Sequence, residues 1–260
     1  MADCIDLNCD LGEGFGNYAL GDDEAMLDIV SSVNVACGYH AGDPDIMARL
    51  AEITKQHGIA FGAHPGFRDL HGFGRRQILG IPPDELENLV IYQIGALQAL
   101  ARSRGQKLSH VRAHGALGNM SDSDSGIAKP LAQAVFKTDP NLALMTLPGC
   151  AADVAATQAG LKVVRQAFAD RAYNDDGSLV SRSLAGAMIA EPEAAAERVI
   201  RLVQEGSVQT ITGKSIPVNA RTVCVHGDSP TAVAMAESIR TRLENEGIAI
   251  RPFTEHDDWA

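Results

Sequence analysis

Strand and helix patterns alternate along this chain from end to end, and that alternation limits it to a parallel α/β architecture. Short β-patterned runs are expected at residues 5–10, 33–36, 59–63, 110–112, 142–147, 162–167 and 222–225, with 249–251 as an eighth. Helical patterns fall between them at 22–30, 44–57, 125–137, 192–205 and 230–246, with another between Gly149 and Lys162. The longest opens at Pro82-Pro83 and carries Leu86, Leu89, Val90, Ile94, Leu97 and Leu100 on one helical face. Asp43 and Pro44 supply the cap and first turn of the second helix. Residues 208–218, broken by Gly213, read as a small hairpin, and 174–188 as a long loop on the functional side. No Ser/Pro-rich linker or shift in composition interrupts the series, so one barrel domain over residues 1–260 is expected.

Parallel strands in a closed barrel open their C-terminal ends on one face, where side chains from several strands meet. Here those ends are polar. The first strand runs into Asp10 and Glu13, with Gly12, Gly14 and Gly16 around them to allow close backbone approach. The second leads to Cys37 and His40, the third to His64, and the fourth to His114. The sixth leads to Asp170-Arg171, and the strand at 222–225 to His226 and Asp228. Four of the eight histidines therefore lie just past a strand, too regular a placement for unrelated structural residues, so one shared pocket is expected. Asp and His from different strands could also bind a divalent ion that activates water, with Asp10, His64 and His114 as ligand candidates.

The formal charge of −11 argues against a nucleic-acid or anionic-membrane partner, both of which need basic surface. Five cysteines with no Cys-x-x-Cys pair argue against a disulfide framework and a structural zinc site. No apolar run reaches the roughly 20 residues of a membrane span. The N-terminus lacks the basic and apolar regions of a secretory signal, so a cytoplasmic protein is expected. Two nucleotide-binding lookalikes are discounted. Gly12, Gly14 and Gly16 meet Asn17 where the dinucleotide fingerprint breaks down, and Thr212-Gly213-Lys214-Ser215 has Val208 where a phosphate loop needs its first glycine. Cys37 and His40 are either a thiol–imidazole pair or a packing cysteine beside a histidine.

Seven motifs occur in a characteristic order: Asn8-Cys9-Asp10-Leu11-Gly12-Glu13, then Asn34-Val35-Ala36-Cys37-Gly38-Tyr39-His40-Ala41-Gly42-Asp43-Pro44, then Gly62-Ala63-His64-Pro65-Gly66. Gly72-Phe73-Gly74-Arg75-Arg76, Tyr92-Gln93-Ile94-Gly95-Ala96-Leu97, Phe168-Ala169-Asp170-Arg171-Ala172-Tyr173 and Val225-His226-Gly227-Asp228 follow. Together they resemble the lactam-utilisation family, whose characterised bacterial members are A subunits of a three-component 5-oxoprolinase. The resemblance implies a distorted, seven-stranded TIM-like (β/α) barrel related to the glycoside hydrolase and deacetylase barrels. It implies ATP-dependent opening of 5-oxo-L-proline to L-glutamate, with two partner subunits, B and C. With no phosphate loop in this chain, ATP is expected to be held largely by a partner. One motif departs: Arg112-Ala113-His114-Gly115-Ala116-Leu117-Gly118-Asn119 stands where the family usually reads Lys-Pro-His-Gly-Ala-Leu-Tyr-Asn.

For that chemistry Asp10 is expected to be the base or water orienter and His114 its partner, with His64 and His226 as further acid/base or phosphate-contacting groups. Arg112, Arg75 and Arg171 would hold carboxylate or phosphate oxygens. Glu13, His40, Asp170 and Asp228 complete the substrate- or phosphate-binding side. Two alternatives stay open: a metal-dependent deacetylase or amidohydrolase working without ATP, and a non-catalytic small-molecule-binding subunit.

Overall fold

A computed structural model describes residues 4–227 and 231–256. Seven parallel strands close into a ring: β1 (Cys4–Leu11), β2 (Ser32–Ala36), β3 (Ala60–His64), β4 (Leu108–Val111), β5 (Ala143–Thr146), β6 (Lys162–Phe168) and β9 (Thr222–Val225). The ring is sealed because Thr222–Cys224 of β9 pair with both Asp6–Asn8 of β1 and Gln166–Phe168 of β6. The expected eighth strand exists as β10 (Ala249–Ile250), but it pairs with Cys4 and Ile5 at the start of β1 and lies outside the ring. The hairpin forms from β7 (Ser207–Gln209) and β8 (Ser215–Pro217), and Thr212-Gly213-Lys214 turns between them. The phosphate-loop lookalike thus joins two antiparallel strands, with no helix following it.

Around the ring stand α1 (Asp23–Leu27), α2 (Pro44–His57), α3 (Pro83–Ser103), α4 (Gly115–Ser123), α5 (Ser125–Thr138), α6 (Ala151–Gln158), α7 (Pro192–Glu205) and α8 (Ala232–Asn245). Asp43 caps α2 through the amides of Asp45 and Ile46 (2.9 and 3.0 Å), and Gly58 ends it in the left-handed conformation. The helix absent from the sequence expectation is α4. Two glycines and two serines among its nine residues make it a weak helix former, yet the amide of Ala116 bonds the Gly74 carbonyl (2.9 Å) and Leu117 is buried in the core.

Alternation along β1 sets the character of the interior. Ile5, Leu7 and Cys9 belong to the main hydrophobic core, whereas Asp6, Asn8 and Asp10 bond across the ring. Barrel interiors are usually filled by branched apolar side chains, but this one carries a polar ladder. Asn8 donates to Thr222 (2.7 Å), Asn34 donates to Asn8 (2.8 Å) and to Asp10 (3.0 Å), and His110 Nε2–H donates to Asn34 (2.8 Å). Below it, Asp6 accepts from Ser31 (2.6 Å), Ser32 (2.7 Å) and Thr222. Buried polar groups are tolerated when each is bonded. Gly62 makes the crossing of His110 sterically feasible, since a Cβ there would lie 2.2 Å from His110 Nε2.

Candidate active site

Asp10, Glu13, His40, His64, Arg112 and His114 converge at the C-terminal mouth of the ring, all buried. Arg112 follows β4 and reaches inward, where its Nη1 alone donates to both oxygens of Asp10 (2.6 and 2.7 Å). Its Nε donates to Gln166 of β6 (2.9 Å), and its guanidinium lies over the Phe168 ring at 5.3 Å. Burial alone would raise the Asp10 carboxyl. Arg112 and then His64 outweigh it and hold Asp10 well below the usual carboxylate range.

The imidazoles interlock. His64 Nδ1 lies 2.7 Å from the Arg112 carbonyl and His114 Nε2 lies 2.7 Å from the Phe73 carbonyl. A carbonyl only accepts, so each of these nitrogens carries the hydrogen. His64 Nε2 and His114 Nδ1 then face one another at 2.9 Å. His40 stacks on His114 with ring centroids 3.7 Å apart, and neither of its ring nitrogens makes a hydrogen bond among the described residues. Glu13 folds back from the glycine-rich loop to bring Oε1 within 3.4 Å of His114 Nδ1 and 3.6 Å of His40 Nε2. Burial pulls all three imidazoles below their ordinary pKa and favours the neutral form.

The Phe73 carbonyl is aimed by an unusual backbone. Phe73 has φ of 53°, a left-handed conformation rare outside glycine, and Gly74 behind it packs flush on the rings. A Cβ at Gly74 would lie 2.7 Å from His114 and 2.8 Å from His40. Cys37 is settled as a packing residue: its thiol donates to the Val35 carbonyl (3.2 Å), and burial pushes it up to about 12.

A cavity of about 910 Å³ opens from this cluster; Asp10, Glu13, Arg112 and His114 line it, and so do Gly118, Asp122 and Cys150. A second group lines the same cavity. His226 donates from Nδ1 to Asp170 (2.7 Å) and accepts from Arg182 at Nε2 (3.1 Å). Arg171 is buried beside them with its Nη2 on the Val180 carbonyl (2.8 Å), and burial, then Arg182, draws it down to about 10. Arg75 sits at the exposed rim over the Phe73 ring. Asp228 lies outside the described residues. Sequence pattern does not single out Asn34, Phe73, Asp122, Gln166 or Arg182; of these, only Asn34 and Phe73 fall within the seven ordered motifs.

The LamB/YcsF family model matches residues 5–258. The chain belongs to the LamB/YcsF family. A protein from Rhodopseudomonas palustris, named as the A subunit of 5-oxoprolinase, is 53% identical over 249 residues, spanning 96% of this chain and 98% of the relative. Among solved structures, the lactam utilization protein from Thermus thermophilus superposes with a TM-score of 0.91 at 44% identity, covering 95% of this chain and 99% of that one. An endoglucanase from Pseudomonas stutzeri, 11% identical, matches with a TM-score of 0.50 over 95% of this chain and 96% of its own, and that likeness concerns the barrel alone. The TIM-like architecture expected from the resemblance is the one observed. Of the expected ligand candidates Asp10, His64 and His114, the two histidines belong to a group that could hold an ion. Glu13, His40, His64 and His114 present ligand atoms all within 4.8 Å of one another, while Asp10 is turned onto Arg112. No helix among the described residues is long and apolar enough to cross a membrane.

Proposed function

We propose that this chain is the ring-opening subunit of an ATP-dependent 5-oxoprolinase, converting 5-oxo-L-proline to L-glutamate in the cytoplasm together with B and C subunits. The observation that carries the proposal is the likeness, along nearly the whole of both chains, to a protein named as the A subunit of 5-oxoprolinase. An unstrained five-membered lactam resists water, because its carbonyl is resonance-stabilised and its amine leaves poorly. Phosphorylation of the amide oxygen would remove the first obstacle. The described residues of this chain offer no loop suited to that step, so the nucleotide is assigned to a partner and no step here runs through it.

In this reading Asp10, kept ionised by Arg112, orients the attacking water, and Glu13 accepts its proton with His114 and His64 alongside. Arg171 and Arg75 hold carboxylate or phosphate oxygens, and His226, its Nδ1–H kept on Asp170, would take up a solvent proton at Nε2 in place of the Arg182 bond and pass it to the ring nitrogen as it leaves. A divalent ion held by Glu13, His40, His64 and His114 would take those groups out of the proton-accepting role, and would instead supply charge that polarises the amide carbonyl and acidifies the attacking water.

The test is reconstitution with the partner subunits, following lactam-dependent phosphate release and glutamate formation. Both are expected with 5-oxoproline, and His114→Ala should lower the rate by at least about 10²-fold. If no lactam stimulated phosphate release, or if His114→Ala kept full activity, the proposal would fail. The Glu13/His cluster favours one second reading, metal-dependent amide hydrolysis without nucleotide; glutamate formed at the same rate with ATP omitted would select it.

A further inference from the structure

We infer that Glu13, His40, His64 and His114 form a mononuclear binding site for a zinc-class divalent cation, with Asp10 standing outside the ligand set. The tautomers carry the first part of the argument. Backbone carbonyls fix a hydrogen on His64 Nδ1 and on His114 Nε2, so the lone pairs of the two remaining nitrogens point at each other across 2.9 Å. Two buried lone pairs at that separation repel unless a positive centre lies between or beside them; Arg112 Nη1 is 3.4 Å from His64 Nε2, but its hydrogens are committed to the two Asp10 oxygens, so the space facing both imidazoles calls for a further cation. A second, independent observation is His40, buried with no exposed surface and with neither ring nitrogen hydrogen-bonded among the described residues. An unbonded buried imidazole is costly, and its Nε2 is turned to within 3.6 Å of Glu13 Oε1.

Distances agree with one ion. Nitrogen and oxygen ligands at about 2.0–2.2 Å from zinc stand about 3.3 Å apart on a tetrahedron. Three separations here are 2.9 Å for His64–His114, 3.4 Å for His114–Glu13 and 3.6 Å for His40–Glu13, and all four ligand atoms lie within 4.8 Å of one another, so the wider pairs would draw in around the ion. Three imidazoles and a carboxylate, without a thiolate, suit Zn²⁺, Co²⁺ or Ni²⁺ over the oxygen-preferring Mg²⁺ and Ca²⁺. Asp10 is excluded because Arg112 Nη1 bonds both its oxygens. Its Oδ2 lies 3.3 Å from His64 Nε2, and the support of that ring from behind comes from the Arg112 carbonyl on Nδ1–H at 2.7 Å. Glu13 and His114 line the cavity, so the ion would meet a ligand from that side. Gly74 holds the cradle shut on the other side, where a Cβ would drive into both His40 and His114.

The inference names a metal for the same cluster used in the lactam reading and to that extent rests on it, but its test reads metal content alone. The chain would be stripped with a chelator, dialysed against Zn²⁺ or Co²⁺, and analysed for bound metal and for the Co²⁺ ligand-field spectrum, without substrate or partner. One equivalent of metal per chain is expected, with an intense visible spectrum typical of tetrahedral Co²⁺ and a rise in melting temperature on loading. His40→Gln and His114→Gln should each weaken Co²⁺ binding by at least about a thousandfold, whereas Asp10→Asn should weaken it by no more than the roughly 10–100-fold of an outer-shell change. Stoichiometry below one-tenth in the wild-type chain would overturn the inference, leaving a shared proton between His64 and His114. So would binding that survives His40→Gln and His114→Gln together. Loss of metal in Asp10→Asn equal to that in His114→Gln, with both variants folded by circular dichroism, would overturn the ligand set.

Discussion

Arg112 offers the sharpest test of how charge is held at this site, because a single nitrogen does the pairing. Nη1 meets both oxygens of Asp10, while Nε serves Gln166 and the guanidinium plane lies over Phe168. An ammonium group can occupy the place of Nη1, so Arg112→Lys should keep the ion pair and lose the other two contacts. Leaving the Gln166 oxygen unbonded costs about 1–3 kcal/mol, and losing the cation–π contact costs about 0.5–1 kcal/mol. Arg112→Met loses these contacts and also strands a buried carboxylate, which adds about 3–5 kcal/mol. At about 2–4 °C per kcal/mol for a chain near this size, the Met variant should melt at least about 6 °C below the Lys variant at pH 7. Gln166→Leu provides the control. In the Lys background it removes the unbonded oxygen, so the double variant should be less destabilised than the two single costs added together. Thermal melts of the wild type and the four variants at matched ionic strength measure all of this. Equal melting of the Lys and Met variants would refute the reasoning, since Asp10 would then not depend on a cation at that point.

Three further outcomes follow from the same structure. Burial raises Asp122 to about 6, so its protonated form is favoured on folding and stability should fall as pH rises from about 4 to about 6. Asp122→Asn should remove that slope and gain up to about 2 kcal/mol at pH 7; parallel urea titrations across this window that coincide in slope would contradict it. Asp170 behaves in the opposite sense: burial raises it, but His226 outweighs this and leaves it lowered. Its stabilisation is therefore present above the ordinary carboxylate pKa of about 3.9 and lost as pH falls through the lower folded value, so Asp170→Asn should flatten the acid limb of the stability curve, read by circular dichroism between pH 2 and 5 as approximate limits. Gly62→Ala would place a Cβ 2.2 Å from His110 Nε2, and the forced shift should cost about 1–3 kcal/mol. An unchanged melting temperature in that variant would mean that His110 does not cross at Gly62.

Much of the barrel was legible because strand ends carry the polar residues, and the geometry of a closed parallel ring turns sequence order into one shared mouth. Asp10, His64, His114 and Arg112 were found that way, as were the second group of Asp170, Arg171 and His226. The interior was not legible. A strand buried on both faces is expected to be continuously apolar, so the alternation of Asp6, Asn8 and Asp10 reads as a solvent-facing edge until Thr222, Asn34 and His110 arrive from other strands to bond them. The helix α4 was hidden by its own glycines and serines, since what fixes its start is a carbonyl from the distant Gly74. Arg182 sits in a polar loop with nothing local to distinguish it, and only the fold brings it to His226. The ranking of the two acids on the first loop shows the limit most clearly. Position at the strand end favours Asp10 as an ion ligand over Glu13, three residues on. In the structure Arg112, just past β4, bonds both oxygens of Asp10, while Glu13 turns back to His40 and His114. In the cation site inferred above, the carboxylate left to face the ion would be set by that distant arginine, and local pattern cannot report that.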